Sequence, residues 1–166
     1  MTFNWGALLG WSVVSNGSLN LSAVLPLYLA GICWTLVYDT IYAHQDKADD
    51  IMIGLKSTAI KFGENTAKWL SGFSVLMCSC LLITGINTNQ CWPYYTAVTM
   101  IGLNLGHQMM TLKINDIDDC WKKFKRNTQI GWILFVGIVL STYLKEKKNI
   151  APKDNFEIVS KSTLSL

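Results

Sequence analysis

The sequence predicts an all-α membrane protein, a bundle of transmembrane helices, from its composition and from the distribution of its charges. Hydrophobic residues make up 51% of the 166 residues and charged residues only 15%, against about 25% in typical soluble domains. Asp, Glu, Lys and Arg are absent from residues 1–38, 69–112 and 127–144. Apolar runs of about 20 residues cross a hydrocarbon core as helices, which satisfy their own backbone hydrogen bonds. The runs lack the alternation typical of barrel strands.

Turn residues divide the charge-free runs into individual spans. The 44-residue run holds two spans separated by the polar residues 87–90, and Pro93 suits the first turn of the second span. The segment 3–14 is shorter: twelve helical residues rise about 18 Å, whereas the hydrocarbon core is about 30 Å thick. We therefore expect it to be the second half of a span. The predicted transmembrane region, 1–144, has spans near 3–14, 20–41, 66–86, 92–112 and 128–144, and a polar C-terminal tail follows at 145–166.

The positive charges predict the orientation and exclude other classes of protein. Counting spans places the charged segments 39–65 and 113–126 on one face of the membrane. That face carries nine Lys and Arg, including Lys68, and the opposite face carries five. The positive-inside rule then places the charged segments on the inner face. A net charge of +3 gives no support for a nucleic-acid partner, and five Cys do not form a secreted disulfide framework.

Acidic residues follow the second span in a pattern that has two interpretations. If the helix continues out of the membrane, Asp39, Asp46 and Asp50 lie within about 20° of one stripe, and Lys47 points about 80° away. Like charges one turn apart repel each other, so a cation is expected among them. Magnesium prefers one or two carboxylates together with phosphate oxygens and water. The stripe is therefore either a magnesium-diphosphate clamp or a solvated acidic turn between helices.

The segment that follows adds cations and hydroxyl groups. Lys56 and Lys61 are candidate phosphate ligands, and the alternative is an interfacial helix with its lysines extended to water. Either Ser57 or Thr58 is expected to cap a short helix that Gly63 ends.

Three further groups of residues have less specific interpretations. Asn104, His107 and Gln108 share a helix face and either contact a ligand or form hydrogen bonds between helices. Asp116, Asp118 and Asp119 lie among five cations and are interpreted mainly as a solvated face. Two pairs of glycines four residues apart, Gly6 with Gly10 and Gly102 with Gly106, either permit close approach of helices or occur by chance.

The segment 38–63 resembles a specific family motif. Its 26 residues, YDTIYAHQDKADDIMIGLKSTAIKFG, are similar to the second aspartate-rich motif of the UbiA-type intramembrane prenyltransferases. The branch of the family that it most resembles prenylates 4-hydroxybenzoate during ubiquinone synthesis in mitochondria. The segments TFNWGALLGW, GENTAKWLSGFSV, HQMMTLKIND, DDCWKKF and GIVL agree as well, so the resemblance covers nearly the whole chain.

The resemblance implies a bundle of nine helices in the mitochondrial inner membrane, with the acidic segment on the matrix side. It implies magnesium-dependent transfer of a polyprenyl group from polyprenyl diphosphate to 4-hydroxybenzoate. The family motif places Asp46 and Asp50 as magnesium ligands, with Asp49 and Asp39 as further acidic positions. Its basic position falls on Lys56, and Lys61 is a further candidate contact for the diphosphate.

One family feature is missing from this sequence. The family carries another aspartate-rich motif in its N-terminal half, whereas residues 1–38 contain no Asp. The chain resembles roughly the last five spans of the family. We therefore expect either a fragment or short form of a prenyltransferase, or a non-catalytic membrane protein that associates with the full-length enzyme or with a ubiquinone-synthesis complex.

Overall fold

The computed structural model describes residues 4–18 and 20–163, and the side chains of these residues up to Lys148. All the regular structure in the described part is helical. The helices are α1 (Trp5–Val14), α2 (Leu21–Ala43), α3 (Lys47–Met52), α4 (Thr58–Phe62), α5 (Thr66–Asn87), α6 (Trp92–Met110) and α7 (Ile117–Thr163), with a 3-10 turn at Gly63–Asn65 between α4 and α5.

The four long helices pack into a closed ring. α2 packs on α5, α5 on α6, α6 on α7 and α7 on α2, while α1 lies against α2. The core between them is apolar and includes the fully buried Val37, Ile41, Leu70, Ile101 and Ile130. In the turns on the side opposite the acidic segment, Asn16 and Gly17 after α1 and Asn89 between α5 and α6 have positive φ. The short connections make neighbouring helices antiparallel.

The outside of the ring is as apolar as its core. Val75, Leu103 and Trp132 are more than half exposed, at 67%, 72% and 65%. Three helical segments, Leu21–Ala43, Thr58–Asn87 and Ile117–Lys148, are long and apolar enough to cross a membrane. An apolar exterior of this kind is solvated by lipid rather than by water. The prediction of a partial all-α membrane bundle is confirmed.

The helices follow the predicted spans with two differences at their ends. α7 begins at Ile117, eleven residues before the predicted start at 128, and runs without a break to Thr163. Most of the predicted tail is therefore part of a helix. The predicted boundary at residue 3 and residues 164–166 lie outside the described residues.

The two glycine pairs do not bring described helices together. A Cβ added at Gly6, Gly10 or Gly106 would meet nothing within 4 Å, and one at Gly102 would meet only the Cys78 sulfur at 3.6 Å. Among the described residues no helix approaches these positions closely, so the close-approach interpretation stays a prediction. A glycine outside both pairs has that role: a Cβ at Gly137 would collide with Ala97, where α7 crosses α6.

Candidate functional site

A sharp turn follows the second helix and begins the acidic segment. α2 ends at Ala43, and the Gln45 amide donates to the Tyr42 carbonyl at 2.9 Å, which closes a turn. The buried His44 shares a hydrogen bond of 3.0 Å with the Thr66 hydroxyl at the start of α5. One helical turn earlier, the buried Thr40 hydroxyl donates to that of Thr58 at 2.9 Å. These two polar contacts hold the end of α2 against α4 and α5.

This turn contradicts one part of the predicted geometry. The continuous helix through residues 39–50 is wrong, since α2 stops before His44 and α3 begins only at Lys47. Asp39 therefore belongs to α2, and Asp46 immediately precedes α3. Both are exposed. The turn falls where the buried His44, the residue after α2, bonds to Thr66 at the start of α5.

The core of the predicted clamp keeps its helical spacing. The Asp50 amide donates to the Asp46 carbonyl at 2.9 Å, so the two residues lie one turn apart. Asp46 and Asp49 are exposed and Asp50 is half-buried. Within the described part of the chain, none of these carboxylates accepts a hydrogen bond or forms an ion pair. Two like charges are therefore adjacent and unneutralised, which favours a bound cation.

The donor set limits the kind of metal site. No group of three or more His, Cys, Asp or Glu residues among those described is placed to hold a metal. Asp46 and Asp50 supply two hard oxygen donors, and Asp49 is a third acid on the same short helix. This fits magnesium, which keeps several water or phosphate ligands instead of a complete protein cage.

A glycine returns the chain from α3 toward the acidic residues. Gly54 has a φ of +72°, a conformation that side chains with a Cβ adopt rarely. The Leu55 amide donates to the Asp50 carbonyl at 2.9 Å, and the Gly54 amide to the Ile51 carbonyl at 3.3 Å. This pair of bonds is a Schellman motif. It places Lys56, which follows Leu55, beside the turn that carries Asp50. The sequence analysis missed Gly54, although a glycine after a short helix is the usual signal.

The short helix α4 follows as expected. The Ser57 hydroxyl accepts from the Ile60 amide at 3.4 Å, so Ser57 and not Thr58 is the cap, and Gly63, with a φ of +48°, follows the last residue. Lys61 lies in the last turn of α4. The ammonium groups of Lys56 and Lys61 are exposed, and neither forms an ion pair with any described residue.

A cavity of about 550 Å³ opens between α2 and α7 below Asp39. Trp34, Tyr38 and Phe124 form an aromatic wall, in which the Tyr38 ring lies 5.9 Å from Trp34 and 6.1 Å from Phe124. The Trp34 indole N–H and the carbonyl oxygen of the buried Asn127 side chain have no partner among the described residues. An unpaired donor and an unpaired acceptor therefore line an otherwise apolar space.

Comparison with known proteins assigns this arrangement to a family. The profile of the UbiA prenyltransferase family matches residues 1–142. The chain belongs to this family. The match covers both the acidic segment and the aromatic cavity of this UbiA chain.

Individual relatives are considerably longer than this UbiA chain. It is 57% identical over 157 residues to the mitochondrial 4-hydroxybenzoate polyprenyltransferase of Bos taurus, covering 95% of the chain and 42% of the relative. The Homo sapiens protein of the same name is 56% identical over 157 residues, with the same coverage of each chain. The Drosophila melanogaster protein of that name is 57% identical over 149 residues, which cover 90% of this chain and 38% of the relative. The chain thus spans about two-fifths of these relatives. No solved structure matches.

The second acidic segment differs from its prediction. The sequence predicts a solvated face for Asp119, but both of its carboxylate oxygens accept from the Lys123 ammonium at 2.8 Å, and one accepts from the Lys113 amide at 2.9 Å. Lys123 is buried and also donates to the Thr111 carbonyl. Asp116 caps α7, accepting from the amides of Asp118 and Asp119. Asp116 and Asp118 are exposed as predicted, whereas Asp119 is half-buried. Asp116 and Asp119 organise the turn before α7.

The polar face of α6 forms its hydrogen bond within the helix. The buried Gln108 amide donates to the Asn104 side chain at 2.9 Å, and His107 is exposed. Within the described chain these residues form no hydrogen bond to another helix, and their contact with a ligand stays a prediction. The Gln108 carbonyl oxygen is buried and has no described partner.

Proposed function

We propose that the chain supplies part of the active site of a 4-hydroxybenzoate polyprenyltransferase. In this reaction a polyprenyl group passes from polyprenyl diphosphate to the aromatic ring, releasing diphosphate, and the ring loses a proton. The observation that carries the proposal is the pair Asp46 and Asp50, which lie one helical turn apart and are neutralised by no described residue. Lys56 comes directly after Leu55, whose amide bonds the Asp50 carbonyl. The names of the relatives, whose matched portions include this segment, support the choice of substrates.

In the proposed site, Asp46 and Asp50 hold magnesium, with Asp49 as a further acidic ligand. When bound, the metal supplies positive charge to the diphosphate. Lys56 contacts the leaving diphosphate as a point charge. Lys61 and Asp39 border the same region and orient the substrate head group. Each role matches a side chain that no described residue neutralises.

The aromatic cavity suits the allylic portion of the donor. As the bond to diphosphate breaks, positive charge develops on the allylic carbon, and an aromatic face stabilises a nearby cation. Such faces are provided by Tyr38, which directly precedes Asp39, by Trp34 one turn further back on α2, and by Phe124 on α7. Most of the cavity lining is apolar.

A second candidate function is structural. The alternative is a non-catalytic membrane protein. In that case the chain associates with the full-length enzyme or with other proteins of ubiquinone synthesis. We place either form in the mitochondrial inner membrane with the acidic segment facing the matrix, because the Lys and Arg excess lies on that face.

The two candidates are separated by adding the portion of a relative that this chain does not match. We expect residues 1–166 alone to transfer no prenyl group to 4-hydroxybenzoate, because one carboxylate row leaves the diphosphate under-neutralised. A chimaera, in which the unmatched N-terminal part of the Bos taurus relative precedes this chain, should be active with polyprenyl diphosphate and magnesium. Product is measured by chromatography. Turnover by the chain alone would contradict the first expectation, and an inactive but folded chimaera would favour the structural role.

A further inference from the structure

Two open grooves meet at a single cation on the outside of the bundle. One groove, of about 490 Å³, lies between α5 and α6, and the other, of about 460 Å³, lies on the opposite side of the same turn of α5. Lys68 lines both. The two grooves therefore extend along the bundle from a shared point, where the charged segment ends and the charge-free run begins.

Small residues keep both grooves open. Gly106 lines the first and Gly72 the second, and a Cβ at either position would meet nothing within 4 Å. The serine hydroxyls in the first groove donate to carbonyl groups of their own helix, so they require no polar partner from a ligand; they are Ser71, Ser74 and Ser79. The space suits an apolar ligand that is narrow and flexible.

No described acidic residue neutralises the charge at the junction. The Lys68 ammonium donates to the Asn65 side chain at 3.2 Å. An ammonium has three donors, so two are left. Glu64 is the nearest acid along the chain, and it is exposed and unpaired with any described residue. Trp69, 53% exposed, lines the second groove and stacks on Phe62. Exposed tryptophan beside lysine is typical of the level of lipid head groups.

We propose that this surface binds one anionic diacyl phospholipid. Its phosphate lies at Lys68, and one acyl chain enters each groove. A transmembrane helix of about 10 Å diameter would occupy one side of α5 only and would bury the Lys68 ammonium against apolar residues. A two-chain lipid fills both grooves and leaves the head group at the interface. Basic pockets between membrane helices recognise anionic head groups in this way.

The test uses the 166-residue chain in phosphatidylcholine vesicles with spin-labelled lipids. Phosphatidylglycerol should be immobilised in preference to phosphatidylcholine. Lys68→Gln should reduce that preference about fivefold, the factor for about 1 kcal/mol per interfacial cation. Lys122→Gln, which removes an exposed cation from α7 and lines neither groove, should leave it unchanged. Equal effects of the two substitutions would overturn the proposal.

Filling the grooves tests the chains separately from the head group. Gly72→Leu and Gly106→Leu place side chains in open space, so the helical content should be retained. Each should reduce the immobilised fraction of both lipids, and Gly10→Leu, also in open space, should not. If Gly72→Leu or Gly106→Leu instead dissociates an oligomer and leaves lipid immobilisation unchanged, a second copy occupies the grooves and the lipid proposal is wrong.

Discussion

The two acidic segments at one end of the bundle use the same residue types in opposite ways. Around Asp119, the carboxylate is bonded to the buried Lys123 and to a backbone amide. Around Asp46 and Asp50, one turn apart, no described residue neutralises the charge. The first arrangement uses its charges to hold the loop before α7 in place. The second leaves them free for a ligand, so substitutions in the two segments should affect different properties.

The largest expected effect is a loss of stability in the segment around Asp119, whose carboxylate is paired with Lys123. Lys123→Met leaves Asp119 charged and half-enclosed without its partner. Breaking a buried ion pair in this way costs about 3 kcal/mol of unfolding free energy. The thermal unfolding midpoint in detergent, followed by circular dichroism, should fall by several degrees. Lys122→Met, on the adjacent exposed position, is the matched control. An unchanged midpoint for Lys123→Met would show that the pair contributes little.

The next largest effect is on the turnover of the chimaera, through the segment that carries Asp46 and Asp50. Asp46→Asn keeps the side-chain size and removes one charge from the proposed clamp. In the chimaera we expect a rate on the order of a hundredfold lower, from several kcal/mol of lost transition-state stabilisation, with the unfolding midpoint unchanged. Binding of Mn²⁺ in the presence of pyrophosphate, followed by electron paramagnetic resonance, should weaken as well.

The control for that substitution follows from the comparison. Asp119→Asn is unsuitable, because it disrupts the pair with Lys123. Asp118→Asn changes an exposed acid at the start of α7 whose carboxylate makes no described contact. If Asp46→Asn and Asp118→Asn were equally active at equal expression, the clamp assignment would fail and the solvated-turn interpretation would stand.

A comparison of Lys56 with Lys123 tests the same contrast, and the expected effect is smaller. Lys56 is exposed and unpaired with any described residue, so Lys56→Ala should leave the unfolding midpoint unchanged, unlike Lys123→Met. Loss of a charged contact to diphosphate should raise the apparent KM for polyprenyl diphosphate about tenfold. The KM for 4-hydroxybenzoate should change much less. Steady-state kinetics of the chimaera measure both, and a rise confined to the aromatic acid would contradict the role of Lys56.

The bundle was predictable from the sequence because charge-free runs report burial in lipid directly. The acidic motif was predictable from its residues, but its geometry was not. The break after Ala43 coincides with a hydrogen bond between His44 and Thr66, which are 22 residues apart in the chain. Helical periodicity cannot predict a contact between such distant residues. The Asp119–Lys123 pair was visible as an i, i+4 spacing and was overlooked because the segment was interpreted as a whole. The Asp119–Lys123 pair was thus predictable from residues close in the sequence, whereas the His44–Thr66 contact was not.

The smallest expected effect concerns His44, which follows the last residue of α2 and bonds to Thr66 at the start of α5. Burial, together with the nearby Lys47, lowers the pKa of His44, and Glu64 opposes this only in part. The Thr66 hydroxyl donates to the Gly63 carbonyl at 2.6 Å, so it accepts from the His44 Nε2–H, and the buried Nδ1 has no described partner. Protonation would add a second N–H there without an acceptor.

The folded state therefore binds the His44 proton more weakly than the unfolded state, whose histidine pKa is about 6.5. The stability that His44 contributes is complete above that pH and declines as the pH falls through it toward the lower pKa of the folded state. His44→Gln retains a donor for Thr66 and does not titrate. Both proteins carry Ala in place of the exposed His107. Lowering the pH from about 7.5 to about 5.5 crosses the unfolded-state pKa. This change should reduce the unfolding midpoint more in the protein that retains His44 than in the His44→Gln variant. Parallel pH profiles for the two proteins would show that the His44 contact tolerates the charged ring, and the turn would then be held mainly by the bond between Thr40 and Thr58.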